Sequence, residues 1–209
     1  ANVDGFQPQA KPEIAYEERP DFDRWLLSEL NSLVQEVDSH MADYDVTPAG
    51  RLIQSFVVDK LSNWYIRLNK KRFWGGGMTQ DKLSAYQTLY TCIETVARLV
   101  APIAPFYADQ LFRDLNEATA KDTSMSVHLA AYPIADARLI DKDLEQSMSL
   151  AMQVTSMVLS LRKKVKIPVI QALQNITIPA TDPNLRQRIE SMAAVILAET
   201  NVKQISFID

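Results

Sequence analysis

Glycine occurs five times in these 209 residues, and three of the five stand together at Gly75, Gly76 and Gly77. A chain so poor in its most permissive residue has few places to turn tightly. The stretches between are rich in Leu, Ala, Met and Gln, which favour helix. The expected fold class is therefore mainly α. Pro20 opens a first helix where a missing amide costs little, and Trp25, Leu26, Leu30, Leu33, Val37 and Met41 form its apolar stripe. A second helix is expected over about 47–74, with Thr47 as N-cap, Pro48 in the first position and the three glycines as its end. A third covers about 80–100, and after Pro102 and Pro105 a fourth covers about 106–116.

A long connection follows over 117–138. A fifth helix is expected over about 141–165, and its apolar residues wrap almost all the way round. That predicts protein on several of its sides. Beyond Pro168 the period changes: 173–178 and 202–207 alternate like strands, with a helical stretch over about 183–199 between them. The expected architecture is an antiparallel helical bundle of about five helices with a small C-terminal strand-helix-strand appendage. The expected divisions are 1–19 as a linker or chain edge, 20–168 as the helical domain and 169–209 as the α/β appendage.

Composition narrows the function. The formal net charge is -4, so affinity for a polyanion has to come from a local patch. A single cysteine, Cys92, leaves no internal disulfide and no cysteine-rich zinc site. The chain shows no basic-then-apolar leader and no apolar run near the roughly 18 residues of a membrane span, so a cytoplasmic location and no membrane partner are expected. His40 and His128 lie in different segments without cysteine or paired carboxylates at ligand spacing, and no Gly-x-Ser-x-Gly elbow occurs. Gly75–Gly77 lack the Gly-Lys-Ser/Thr continuation of a phosphate loop. No catalytic, cofactor or metal residue is assigned, and the chain alone is expected to be inactive as an enzyme.

What remains is a basic and aromatic helix. Ile53, Val57, Leu61, Trp64, Tyr65 and Leu68 follow the spacing of one buried face. At about 100° per residue, Lys60, Asn63, Arg67, Lys70, Lys71 and Trp74 fall on another, with Arg72 beside them. Cationic donors next to an indole suit an RNA backbone and its unstacked bases. A second cluster, Arg162, Lys163, Lys164 and Lys166, ends the fifth helix without an acid among it. The competing explanation is the same for both: cations near a helix C-terminus complement its dipole and keep the surface wet. Trp64, Tyr65 and Trp25 are expected in the core, and Trp74 is the candidate for stacking on a base.

Asp23-Arg-Trp-Leu-Leu-Ser-Glu-Leu-Asn31, Leu61-Ser-Asn-Trp-Tyr-Ile-Arg67 with Arg72-Phe-Trp74, Ala85-Tyr-Gln-Thr-Leu-Tyr90 and Ala101-Pro-Ile-Ala-Pro-Phe106 resemble the anticodon-binding domain of class I aminoacyl-tRNA synthetases. Ser126-Val-His-Leu129, Leu161-Arg-Lys-Lys-Val165 and Leu197-Ala-Glu-Thr-Asn-Val-Lys203 are similar more narrowly to isoleucyl-tRNA synthetases, in the form shared by eukaryotes and some bacteria. The resemblance covers about residues 20–209. It implies binding of the anticodon arm of an isoleucine tRNA, with an upstream catalytic domain of the same polypeptide charging that tRNA at the expense of ATP, with magnesium. The family's His-Ile-Gly-His-like and Lys-Met-Ser-Lys-Ser signatures are missing from this stretch. Two alternatives stay open: the equivalent domain of a valine, leucine or methionine enzyme, or a helical protein-interaction module whose basic faces only solvate.

Overall fold

The computed structural model describes Phe6 and residues 13–208. Most of the expected linker over 1–19 lies outside these residues. The part that is described, from Glu13, is tied down: the amide of Ile14 donates to Gln87 Oε1 at 3.0 Å, and buried Arg19 donates to Thr88 Oγ1 at 2.8 Å and to the Ile14 carbonyl at 3.1 Å. The chain forms two compact units, one ending at Asp141 and the other beginning at Lys142. This division differs from the one expected at residue 168, because the helix over 142–164 packs against the helices that follow it.

Among the described residues the regular elements of the first unit are all helices. Helix α1 (Asp21–Ala42) buries Trp25, Leu26, Leu30, Leu33 and Val37 on the stripe its spacing predicts. It ends in a Schellman motif, with Tyr44 in the left-handed region (φ 59°) and the Asp45 amide reaching back to the His40 carbonyl at 2.8 Å. Helix α2 (Val46–Ser55) starts one residue before the expected N-cap Thr47, which makes no capping bond.

The single helix expected over 47–74 is three pieces. After α2 the backbone winds as a π-helix over Phe56–Ile66, and a turn at Asn69 leads into the short α3 (Lys70–Trp74). Helix α4 (Gln80–Val100) has the expected bounds, with Thr79 Oγ1 accepting from the Lys82 amide as its N-cap. Helix α5 (Pro105–Thr119) starts on Pro105 and is longer than expected. Ala101, Ala108 and Phe112 pack with Val127 of the following connection, which Asp109 holds by accepting from Ser126 Oγ at 2.6 Å and the Val127 amide at 3.0 Å.

The second unit begins with α6 (Lys142–Lys164). Met148, Ala151 and Val154 are buried, but Met157, Leu161 and Val165 are exposed, so the helix is not enclosed on all sides as its composition suggested. Strands β1 (Leu173–Pro179) and β2 (Val202–Ile208) pair in parallel, with Leu173 opposite Val202 and Ile178 opposite Phe207. The helical connection breaks at Met192 into α7 (Pro183–Ser191) and α8 (Ala193–Thr200). Buried Ile189, Ile196 and Val202 form the apolar centre of this unit. No helix among the described residues is long and apolar enough to cross a membrane.

Candidate nucleic-acid interface

The basic-aromatic segment is built on a buried carboxylate. Asp23, in the first turn of α1, is fully enclosed and accepts from Tyr65 Oη at 2.8 Å, Ser84 Oγ at 2.5 Å and both terminal nitrogens of Arg72, at 2.6 and 2.9 Å. The fork of a guanidinium matches both carboxylate oxygens at once, which is the strongest geometry an ion pair takes. Arg72 also reaches Asp81 through Nε at 2.9 Å. Burial works against its charge, yet the hydrogen bonds to Asp23 and Asp81 raise its pKa further. Burial, with Asp23 alongside, likewise pushes the Tyr65 hydroxyl well up. Beyond Trp74 the chain turns through the glycines, where Gly77 has φ 73°. Buried Lys82 donates from Nζ to the Gly75 carbonyl at 2.7 Å and lies over the Tyr86 ring.

Two of the residues expected to face RNA are thus engaged within the protein. Arg72 holds α3 onto α1 and α4. Lys60 pairs with Glu29, which also accepts from the Trp25 indole at 3.2 Å. For Lys60 the reason lies in the π-helix. Its looser i to i+5 winding rotates side chains away from a 100° wheel, and the expected faces shift. Tyr65 is buried as expected, whereas Trp64 is only half-buried. The Asn63, Arg67, Lys70 and Lys71 side chains are exposed, with Arg67 Nε donating to the Asn63 carbonyl at 2.7 Å. Among the described residues no carboxylate lies within ion-pairing distance of Lys70 or Lys71. Trp74 is 87% exposed at the end of α3, an indole held out on a clamped backbone.

In the second unit the basic cluster divides in the same way. Arg162 is buried and donates from one terminal nitrogen to the carbonyls of Pro168 (2.6 Å) and Gln171, fastening the connection from α6 to β1. Lys163, Lys164 and Lys166 are exposed. They surround another Schellman ending: Ile167 N–H donates to the Arg162 carbonyl at 2.9 Å, and Lys166 takes the left-handed position (φ 58°) usually given to glycine.

His40 lies 3.8 Å from Asp45, His128 is exposed, and the described residues contain no cluster of three or more potential metal ligands. Cys92 is fully buried, and burial pushes its thiol far up, away from reactivity. Sequence reasoning did not single out Lys82 or Asp81, and it gave Asp23 no part in the site. No local signal marks them, because each acts on a group brought in from another element.

Comparison with known proteins places the chain in a family. The isoleucine–tRNA ligase of Bacteroides fragilis is 58% identical over all 209 residues. That of Porphyromonas gingivalis is 54% identical over the same length, and that of Dehalococcoides mccartyi 43% identical over 206 residues, 99% of this chain. The chain spans only 18% of the first two of these proteins and 20% of the third. Residues 23–177 match the family described as the anticodon-binding domain of tRNA ligase. The chain belongs to that family.

Proposed function

We propose that this chain is the part of an isoleucine–tRNA ligase that grips the anticodon arm of an isoleucine tRNA, and that ATP-dependent charging takes place in other parts of the same polypeptide. The observation that carries the reading is Trp74, exposed on α3 with Lys70 and Lys71 just past Arg67, on a helix that the Asp23–Arg72 pair fastens to α1. A clamped platform stacks a splayed base without first losing conformational entropy. Arg67, Lys70 and Lys71 contact stem and loop phosphates, and Asn63 offers an amide to a base edge or ribose. Lys163, Lys164 and Lys166 are a second phosphate strip, and Arg72, Lys60 and Arg162 serve the fold.

The glycine-rich turn does not fit a nucleoside triphosphate site. The Gly75–Gly77 turn closes a helix and is pinned by a lysine whose ammonium is already used, so no step of adenylate chemistry is assigned to this chain. The restriction to isoleucine tRNA, and the catalytic domain as covalent partner, rest on the likeness to isoleucine–tRNA ligases.

Titration of the chain with isoleucine tRNA, and with the same tRNA altered at its anticodon bases, tests the reading. Specific binding weakened by the anticodon changes is expected. Trp74→Ala lowers affinity by about 1–3 kcal/mol, roughly five- to 150-fold, without moving the melting temperature. Equal affinity for unrelated tRNAs removes the isoleucine assignment. No binding at low salt favours a protein-interaction role for the same faces.

A further inference from the structure

The α/β unit contains a parallel pair of strands, β1 and β2, as the whole of its sheet among the described residues. Each strand is satisfied along one edge only. Parallel pairs are ordinarily buried within larger sheets, and a sheet of two strands is marginal by itself.

The two open edges are not alike. On β1, Pro179 has no amide to offer, and Gln174, Asn175 and Thr177 are exposed polar residues, features that discourage further pairing. On β2, Lys203 and Gln204 are exposed as well, and Ile205 and Phe207 are half-buried like Ile176 and Ile178 on β1, but no proline interrupts the strand and it ends on exposed Ile208. A groove of about 530 Å³ runs beside β2, lined by Ile205 and Phe207 from the strand and by Ala193 and Leu197 from α8, with Arg186 and Lys203 among its polar residues. The Arg186 guanidinium lies 4.8 Å from the centre of the Phe207 ring, covering one side of it. No residue of β1 lines this groove.

We propose that β2 is an internal strand in the intact protein, paired along its open edge by an extended segment of the same polypeptide outside these 209 residues. An open strand edge beside a groove with an apolar strip (Ala193, Leu197, Ile205, Phe207) and polar walls is the arrangement used in strand addition, where main-chain bonds give affinity and alternate side chains fill the pockets. The inserting segment alternates aliphatic and polar residues, its aliphatic side chains resting on Leu197, Ala193 and Ile205. The occupant is argued from the relatives, of which this chain spans only 18–20%: most of the polypeptide lies elsewhere. A tethered segment acts at millimolar effective concentration, which a second copy of the chain does not reach at ordinary protein concentrations.

Residue-resolved amide exchange, in the intact polypeptide and in the 209-residue chain, tests this. In the intact protein the alternate amides of β2 that are not bonded to β1 are expected to exchange at least about a hundredfold more slowly than in the shorter chain. Amides bonded to β1 follow the rest of the unit. Leu197→Glu in the intact protein places a charge in the groove and restores fast exchange at the same alternate amides, while Ile189 and Ile196 stay protected. Equal rates in the two proteins, or uniform slowing of every amide in the unit, overturn the proposal. So does protection of the shorter chain that rises with its own concentration alongside dimerisation in sedimentation, because that makes a second copy the occupant.

Discussion

Asp23 sits in the first turn of α1, where a carboxylate is ordinarily explained by the positive end of the helix dipole. Here it is fully enclosed and accepts from donors on three other segments, Tyr65, Arg72 and Ser84. Removing one partner of such a pair leaves a buried charge uncompensated, so Asp23→Ala is expected to destabilise the first unit by about 3–5 kcal/mol in urea denaturation. Arg72→Ala should cost a similar amount, and the double variant clearly less than the sum, since both lose the same interaction. Additive losses would show that the two side chains act separately. The same comparison tells the fastening cations from the exposed ones: Lys70→Gln and Lys71→Gln are expected to leave the denaturation midpoint unchanged while weakening tRNA binding. At this level the sequence showed which residues were charged but not which were spent. Arg72 and Lys71 are neighbours of like charge in the chain, and only the carboxylates folded against Arg72 separate them.

At the level of the element, α6 shows a conflict between backbone and charge. Lys166 occupies a left-handed position where a side chain costs about 1–2 kcal/mol. Lys166→Gly should therefore raise the stability of the second unit by about 0.5–1 kcal/mol, once the greater freedom of glycine in the unfolded chain is subtracted. The same change is expected to weaken tRNA binding and reduce its salt dependence by about one counterion. A rise in stability with no change in binding would remove Lys166 from the phosphate strip.

The connection after α5 carries a different sensitivity. Asp109, Asp122 and Asp136 have lowered pKa values because the folded chain donates to them, chiefly Ser126, the Ser124 amide and Arg138 respectively. A carboxylate lowered in the folded state contributes stability above its ordinary value near 3.9, and that contribution is lost as pH falls through the folded value, about 2 for Asp136. Amide spectra recorded from pH 5 to pH 2 should show residues 122–138 losing order before α1 and α4. Simultaneous loss throughout the unit would contradict this.

For the whole molecule, binding to RNA works against a net charge of -4 and depends on a few exposed cations. With three to six phosphate contacts on single-stranded RNA, the logarithm of the binding constant should fall with the logarithm of salt at a slope of about -2 to -4. A slope near zero in a salt titration would exclude phosphate contacts as the source of affinity.

Most of the helical order was legible in the sequence. Scarce glycine, well-placed prolines and apolar spacing located α1, α4, α5 and α6, and the switch to alternation located β1 and β2, because these signals act between residues near one another in the chain. The π-helix over Phe56–Ile66 left no such mark, and with it the true faces of the basic segment were hidden. The exposed Trp74 was legible from its face of the helix, but which cations stay exposed and which strand edge is left open were decided by tertiary structure alone. Each depends on whether a donor, a carboxylate or a neighbouring strand from a distant part of the chain arrives to satisfy the group, and no local pattern records that meeting.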